Sequence, residues 1–273
     1  MSRIATGADW TLHHGDYATA LAGERVSAVI CDPPYSARTH VGHDSGSAIP
    51  SADYAGGQEK DRAYARRKAE AGVAHRRSLT YDAWGRSEVD GFCDFWAERC
   101  DGWIVILTDH LLSTDWAEAL DQRGRYVFSP LAFLEPGSRV RMTGDGPAQW
   151  SVWIVVARPR REPYSKWGAL PGGYVMPKGL DEAEEKREIG GKPVWLLRQL
   201  IRDYSRPGDT IADPCMGWCS TGIAAIREGR KFIGSEIRQE AYDESVRRMQ
   251  KPRQAGLFVP PTIGMQVDLF DAT

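Results

Sequence analysis

The sequence predicts a single α/β domain with a mixed, mostly parallel β-sheet, an antiparallel pair of strands at one edge, and helices on both faces. Short apolar runs without helical spacing, typical of buried strands, alternate with amphipathic stretches typical of helices. A strand, a glycine-containing loop, a helix and a second strand follow one another within residues 209–237. Two apolar strands within residues 126–158 flank a Gly- and Pro-containing loop, which favours an antiparallel pair.

The first half of the chain predicts three strands and three helices around one long polar segment. Residues 36–80 are rich in Gly, Ser, Ala and Arg, and within them Gln58–Ala71 has helical potential. Thr114 or Asp115 is suited to cap a helix that ends at Arg123. The other elements are a strand at Trp10–His14, a helix at Tyr17–Ala22, a strand at Val26–Cys31, a helix at Glu88–Cys100 and a strand at Gly102–Asp109.

The second half predicts the antiparallel strands, a linker and the strand–loop–helix–strand unit. Residues 160–191 are poor in apolar side chains and predict a surface linker, and residues 252–273 predict a loose tail with several prolines and glycines. The predicted elements are strands at Tyr126–Leu134 and Gln149–Arg158, a helix led by Lys192, a strand ending near Ala212, a helix containing Ile223–Ile226 and a strand at Lys231–Ile237.

Length and composition fit one enzyme-sized domain covering residues 1–273. The 42% hydrophobic content can supply a full core. With 35 Lys and Arg against 37 Asp and Glu, the net charge is −2, so a nucleic-acid partner requires a local basic patch. The sequence shows no apolar run of about eighteen residues and no signal-like segment, which predicts a cytoplasmic protein without a membrane partner.

The five cysteines predict reduced thiols, because their spacing gives no disulfide framework. Cys215 with Cys219, and His40 with His43, have spacings that zinc ligands use. No matching second pair follows at finger-like spacing, so no metal is predicted.

Asp32-Pro33-Pro34-Tyr35 follows directly on the predicted strand Val26–Cys31. Two consecutive prolines cannot continue the hydrogen-bond ladder, so the chain must leave the sheet there. In open α/β sheets, ligands bind at the carboxyl ends of the strands. A carboxylate, rigid carbonyls and an aromatic ring suit the binding of a planar amine through accepted hydrogen bonds and stacking. An ordinary strand-to-loop turn is the alternative interpretation.

A second candidate segment, Asp209–Gly222, combines a strand with a glycine-containing loop before a helix. Such a loop lets backbone N–H groups and a helix N-terminus approach a ligand closely. The next strand ends at Glu236, where an acid in nucleotide-binding βαβ units accepts hydrogen bonds from ribose hydroxyls. The alternative is a solvated acid at a strand end.

These segments together resemble the S-adenosylmethionine-dependent DNA amino-methyltransferases. Asp32–Tyr35 resembles their catalytic tetrapeptide, and Asp213–Gly222 resembles their cofactor loop, Asp-Pro-Phe-x-Gly-Ser-Gly-Thr-Thr-Gly. Lys192-Pro193 resembles the pair that leads the preceding helix, and Gly15-Asp16 resembles a turn that helps to hold the adenine of the cofactor. The catalytic motif comes first, as in the circularly permuted β group. The resemblance implies a Rossmann-like methyltransferase fold.

The resemblance also implies roles for individual residues. In the catalytic motif Asp32, Pro33, Pro34 and Tyr35, the Asp32 carboxylate and the Pro33 carbonyl would accept hydrogen bonds from the amine, and Tyr35 would stack on the base. The implied cofactor-binding residues are Asp16, Cys31, Lys192, Pro193, Asp213, Pro214, Cys215, Gly217, Trp218, Ser220, Thr221, Glu236 and Ile237.

The reaction implied by the resemblance is methyl transfer from S-adenosylmethionine to the N6 amine of adenine in DNA, after base flipping, with restriction–modification as the setting. Asp32 favours adenine, because cytosine-amine enzymes of this family more often carry Ser at that position. The alternatives are an N4-cytosine DNA methyltransferase, an RNA or protein amino-methyltransferase, and a noncatalytic DNA-binding relative.

The cofactor loop departs from the family pattern at Cys215, Trp218 and Cys219. A non-glycine residue at a position of close approach costs steric room or strains the backbone, so Cys219 puts cofactor affinity in question. Trp218 would either cover the methionine part of the cofactor through a cation–π contact with the sulfonium or pack on the neighbouring helix.

The predicted DNA contacts are two arginine-bearing insertions. Residues 60–77 hold seven basic residues against two acids, including Arg66, Arg67, Arg76 and Arg77, and basic residues there would neutralise phosphates. Arg139 and Arg141 lie in the loop between the antiparallel strands. A solvated helix and a flexible hairpin tip are the respective alternatives. Sequence specificity would come from these insertions or from a second subunit, that is, a homodimer.

The tail segment Gln266–Phe270 resembles the Gln-x-Asp/Ser-Leu-Phe peptide with which bacterial replication and repair proteins dock on the sliding clamp. Leu269 and Phe270 would fill an apolar pocket, and Gln266 would bond to its rim. The alternative is that these side chains pack back on the domain.

Overall fold

The computed structural model describes residues 3–39, 81–136, 150–160, 167–177 and 191–251. Strands and helices alternate along these ranges. The elements are β1 (Ile4–Thr6), β2 (Trp10–His14), α1 (Tyr17–Ala20), β3 (Ala28–Cys31), α2 (Arg86–Trp96), β4 (Ile104–Thr108), α3 (Leu112–Gln122), β5 (Arg125–Val127), β6 (Leu131–Leu134), β7 (Ser151–Pro159), β8 (Gly173–Val175), α4 (Val194–Tyr204), β9 (Thr210–Asp213), α5 (Ser220–Arg227), β10 (Lys231–Glu236) and α6 (Gln239–Gln250).

The strands form one mixed sheet in the order β1-β2-β10-β9-β3-β4-β7-β6-β8, with β5 also paired to β7. The five strands from β2 to β4 are parallel. Strand β7 runs antiparallel to both β4 and β6. The predicted mixed sheet with an antiparallel pair is therefore confirmed, although that pair is followed by one further strand, β8, at the edge.

Helices cover both faces of the sheet, as predicted. Strand β3 shows why its sequence is continuously apolar: Ala28 and Ile30 pack in the core beneath α4 and α5, whereas Val29 and Cys31 pack in the core beneath α2 and α3. Because successive side chains of a strand point to opposite faces, a strand covered on both sides needs apolar residues at every position.

The strand order creates a crevice between β3 and β9. These strands are parallel neighbours. From β9 the chain continues through α5 to β10 on one side, whereas from β3 it continues to β4 on the other. Connections that diverge in this way leave a ligand-binding crevice at the carboxyl ends of the strands. Asp32 and Asp213 lie at these two strand ends.

Several predicted boundaries are wrong. The predicted strand Tyr126–Leu134 is two strands, because Pro130 interrupts it and cannot donate to the ladder. The predicted linker 160–191 contains strand β8, which pairs with β6 through only three residues. Several predicted elements are longer than the observed ones. The helices and strands observed there are Tyr17–Ala20, Ala28–Cys31, Arg86–Trp96 and Ile104–Thr108.

The predicted cap of α3 is also wrong. The helix begins at Leu112, so Thr114 and Asp115 lie inside it. Asp109 provides the cap instead, because its Oδ1 accepts hydrogen bonds from the N–H groups of Leu111 and Leu112 at 3.1 and 3.0 Å. Strand β1 and helix α6 were not predicted. No helix in the described ranges is long and apolar enough to cross a membrane.

Candidate active site

A cavity of about 300 Å³ opens at the carboxyl ends of β3, β9 and β10. Asp32 and Pro34 of the predicted catalytic turn lie in its wall. The predicted cofactor residues that line the same cavity are Asp16, Lys192, Asp213, Pro214, Cys215, Gly217, Trp218, Ser220, Thr221, Glu236 and Ile237. The fold therefore brings together two motifs that are about 180 residues apart in the sequence.

Two predicted cofactor residues, Cys31 and Pro193, have other surroundings. The Cys31 thiol is fully buried and hydrogen-bonds with Cys215. Pro193 precedes the first residue of α4 in an extended conformation, as its fixed φ favours at a helix start. Cys31 ends β3 and Pro193 precedes α4, so each is the chain neighbour of a residue that lines the cavity, Asp32 and Lys192 respectively.

Two donors hold the Asp32 carboxylate. The Tyr35 hydroxyl donates to Oδ1 at 3.0 Å, and Lys192 Nζ donates to Oδ2 at 2.7 Å. Burial, followed by the charge of Asp32, raises the pKa of Tyr35 well above its usual value, so the hydroxyl remains a donor at neutral pH. The Lys192 ammonium also lies 4.9 Å from the centre of the Tyr35 ring, so part of the predicted stacking surface faces a cation.

The segment directly after the predicted catalytic turn is anchored to the end of the neighbouring strand β4. The Asp109 carboxylate accepts hydrogen bonds from the Ser36 N–H at 3.0 Å and from the hydroxyls of Ser36 and Thr39. Burial opposes ionisation of Asp109, but these donors together lower its pKa. This role of Asp109 was not predicted from the sequence, although an acid directly after a buried parallel strand lies at the edge of the sheet where ligands bind.

Asp213 closes the inner end of the cavity and is 2% exposed. Burial raises the pKa of Asp213 to about 7, against hydrogen bonds donated by Thr221 and by the Cys215 N–H. The Cys215 N–H lies 3.1 Å from Asp213 Oδ1. The carboxyl group thus ties the start of the loop to the start of α5, which fixes the loop that faces the ligand.

The strain predicted at Cys219 is confirmed. Cys219 precedes α5 with φ 61° and ψ 38°, a left-handed conformation that costs a non-glycine residue about 1–2 kcal/mol. Its side chain packs tightly on Gly222, where an added Cβ would lie 2.4 Å from the Cys219 sulfur. Cys219 thus holds a backbone conformation that favours glycine, at the position where the resembling motif has Gly.

Trp218 lies in the cavity wall, and its carbonyl accepts a hydrogen bond from Arg248 of α6. Trp218 therefore contributes to the space that a ligand would occupy. The cation–π role of the indole stays a prediction.

Glu236 is engaged within the protein. Its Oε2 accepts the Gly217 N–H at 3.0 Å, and its Oε1 accepts the backbone N–H and Nε of Arg238 at 2.8 and 3.1 Å. The Arg238 guanidinium lies 5.1 Å from the centre of the Tyr81 ring. Arg238 Nη2 also donates to Oε2 at 3.5 Å. These four donors occupy the roughly four acceptor sites of the carboxylate, so a ribose hydroxyl would bind Glu236 by displacing a donor of Arg238.

Part of the cavity wall consists of residues that were not predicted from the sequence. The segment around Trp84 reaches the site because its N–H donates to the Tyr35 carbonyl at 3.0 Å. No local signal reveals this, since a long insertion separates the two residues. Arg238 was detectable as a cation two residues after a strand-end acid. The lining side chains that were not predicted are Tyr17, Tyr81, Asp82, Trp84, Leu197, Met216 and Arg238.

Some predicted residues lie outside the described ranges. These are His40, His43, Arg66, Arg67, Arg76, Arg77, Arg139, Arg141 and Gln266–Phe270. Their roles stay predictions.

Comparison with known proteins finds similarity to DNA methylases. Residues 151–247 match the family model N6_N4_Mtase, described as DNA methylase. The chain is 25% identical over 151 residues to type II methyltransferase M.Cfr9I of Citrobacter freundii, a match covering 51% of this chain and 50% of that protein. It is 47% identical over 58 residues to DNA adenine methyltransferase YhdJ of Escherichia coli K12, covering 21% of this chain and 20% of that protein.

Among solved structures, the M1.HpyAVI–SAM complex aligns with a TM-score of 0.59 at 16% identity, over 89% of this chain and 100% of that one. The chain has a methyltransferase fold. The aligned segments span half or less of the length of the curated relatives. The matched family model and both relatives are described as DNA methylases or DNA methyltransferases, or as type II methyltransferases.

Proposed function

We propose that this methyltransferase-fold protein transfers a methyl group from S-adenosylmethionine to the N6 amine of adenine in DNA. The observation that carries the proposal is the shared cavity, in which Asp32 after β3 and the loop Asp213–Gly222 after β9 line one space. A methyl donor and an acceptor amine must be bound side by side for direct transfer, and this arrangement provides for both.

The cavity fits S-adenosylmethionine in size and in the chemistry of its wall. Its volume of about 300 Å³ lies at the lower end of the range for small-molecule sites. Glu236 would accept hydrogen bonds from ribose hydroxyls, and the loop at Gly217 would approach the cofactor closely. When bound, S-adenosylmethionine supplies an electrophilic methyl group on its sulfonium.

The chain's contribution to the chemistry centres on Asp32. An exocyclic amine is a poor nucleophile because its lone pair is delocalised into the ring. Acceptors directed at its N–H groups favour the pyramidal form, whose lone pair can attack. Asp32 and the Pro33 carbonyl would be these acceptors, preorganised by the prolines and by the donors on Asp32. The target base would first be flipped out of the duplex, which costs a few kcal/mol.

Adenine is proposed over cytosine because the tetrapeptide begins with Asp32. The similarity to YhdJ, described as an adenine methyltransferase, supports this choice over 58 residues. The matching family model covers both N6 and N4 chemistry in its name, so N4 of cytosine is the principal alternative product.

The proposal is tested by incubating the purified protein with labelled S-adenosylmethionine and unmethylated genomic DNA, followed by nucleoside analysis. Labelled N6-methyldeoxyadenosine is expected, and an Asp32→Ala variant should give at least about 100-fold less. Labelled N4-methyldeoxycytidine would correct the base. DNA binding without cofactor binding or transfer would instead establish a noncatalytic relative, and labelling of RNA or protein alone would redirect the substrate class.

The proposal includes two further partners that the sequence suggests, a second copy of the chain and the sliding clamp. For the clamp, the motif is Gln266–Phe270. Purified clamp should be recovered with the full chain and lost with a chain that ends at Gly264. Equal recovery with both chains, or recovery with neither, would dispose of this partner. Sedimentation of the free protein decides between a monomer and a homodimer.

A further inference from the structure

The Lys192 ammonium is directed at the catalytic turn. Its Nζ lies 2.7 Å from Asp32 Oδ2, and the two side chains are 7% and 21% exposed. We propose that Lys192 is a positioning residue that holds the Asp32 carboxylate for the substrate amine. The proposal rests on the proposed function for what Asp32 does, but the ion pair itself does not depend on that function.

The burial of this pair makes it persistent. An exposed ion pair contributes little, because water and salt screen it. A buried ammonium that loses its partner is left as an uncompensated charge, which is strongly unfavourable. Lys192 is therefore expected to remain on Asp32 throughout the native ensemble. The sequence resemblance had implied cofactor binding for Lys192; the proposal instead assigns its ammonium to Asp32, on the acceptor side of the cavity.

The geometry leaves room for a substrate. Lys192 holds one oxygen of the Asp32 carboxylate, and the Tyr35 hydroxyl holds the other at 3.0 Å. Two donors on different oxygens fix the plane of the group. Because a carboxylate accepts about four hydrogen bonds, each oxygen keeps a free acceptor site. The amine can therefore bind to Asp32 without displacing Lys192.

A second carboxyl group strengthens the need for a cation. Asp213 lines the same cavity, and the charge of Asp32 contributes to the raised pKa of Asp213. Two neighbouring carboxylates disfavour each other's ionised form. The positive charge of Lys192, 2.7 Å from Asp32 Oδ2, lies where it offsets this repulsion.

The first experiment compares Lys192→Met, Lys192→Arg and the control Lys231→Met, which changes an exposed lysine at the start of β10. For Lys192→Met, kcat should fall about 100-fold, the effect of misplacing a catalytic group. KM for S-adenosylmethionine and the calorimetric affinity for S-adenosylhomocysteine should stay within about threefold. Lys192→Arg should recover most of the rate. A loss of affinity as large as the loss of rate would overturn the proposal.

The second experiment does not require activity. Urea unfolding midpoints are measured for Asp32→Asn, Lys192→Met and the double variant. If the residues form a pair, the two single effects will not add in the double variant. Additive effects would overturn the proposal. A wild-type protein that methylates no DNA would refute the proposed function, whereas the unfolding and affinity measurements would still decide the role of Lys192.

Discussion

The Gly217 N–H donates to Glu236 Oε2 at 3.0 Å, which joins the cofactor loop directly to the end of β10. Nineteen residues separate the two groups, and both residues line the cavity. The bond makes Glu236 an anchor for the loop, and a ribose hydroxyl would compete with Arg238 for the Glu236 oxygens.

Replacement of Glu236 by Gln should weaken S-adenosylmethionine binding about 10-fold or more, because a hydrogen bond to a charged group contributes roughly 1.5–3 kcal/mol. The amide oxygen of Gln can still accept the Gly217 N–H, so the loop should stay in place. Isothermal titration calorimetry measures the affinity. Glu240→Gln, an exposed change in the first turn of α6, is the matched control. Equal affinities in the two variants would remove Glu236 from the cofactor site.

Replacement of Asp32 by Ala should reduce methyl transfer by about 100-fold or more, as expected when a group that acts on the reacting atoms is lost. Cofactor affinity should stay within a few-fold, because Asp32 serves the amine. Single-turnover transfer and calorimetry provide the two readouts. Asp9→Ala, at an exposed aspartate, serves as the control. Retained transfer in Asp32→Ala would contradict the assigned role.

Asp213→Asn should change the pH dependence of stability. Burial raises the pKa of Asp213 to about 7, whereas an unfolded Asp titrates near pH ~3.9. Ionisation of Asp213 therefore costs more free energy in the folded state than in the unfolded state. The free energy of unfolding of the wild type, relative to that of Asp213→Asn, should fall as the pH rises from about 4 to about 7. The difference should be constant outside this window. Urea unfolding of both proteins across the pH range measures this difference. A difference that stays constant with pH would disprove the raised pKa of Asp213.

Cys219→Gly should be more stable than Cys219→Ala by about 1 kcal/mol, because both remove the thiol but only Gly adopts a positive φ without strain. The difference in stability between the two variants measures the backbone strain at residue 219, because both variants lose the packing of the thiol on Gly222. Urea unfolding gives the difference. Equal stabilities would mean that the left-handed conformation at Cys219 carries no cost.

Neutralising Arg66, Arg67, Arg76 and Arg77 together should flatten the dependence of DNA affinity on salt, because each lost phosphate contact removes about 0.9 from the logarithmic slope. Fluorescence anisotropy at several salt concentrations measures the slope. Neutralising Arg139 and Arg141 in a second variant separates the two predicted insertions. An unaltered slope in the first variant would show that residues 60–77 do not contact phosphates.

The ends of the parallel strands were the most predictable part of the site. The run Ala28–Cys31 is apolar at every position and is followed by two prolines, so both its burial and its exit from the sheet follow from local physics. Asp32, Asp213 and Glu236 could therefore be assigned to one edge of the sheet before any coordinates were known.

The residues that were missed depend on contacts that no local pattern encodes. Trp84 joins the site through a bridge to Ser36 across the insertion. The pairing of Lys192 with Asp32 requires two elements that are 160 residues apart in the chain. Strand β8 is only three residues long and includes a glycine, so it lacks the length and the side chains that identify a strand.

The adjacency of β3 and β9 makes the chemistry independent of where the chain is cut and rejoined. Neighbouring strands lie about 4.8 Å apart, so the sheet fixes the distance between the residues that would bind the methyl donor and those that would bind the amine. This distance does not depend on which strand comes first in the sequence. A gene encoding these segments in the reverse order would place the same side chains at the same separation, provided that the new connections lay away from the carboxyl edge.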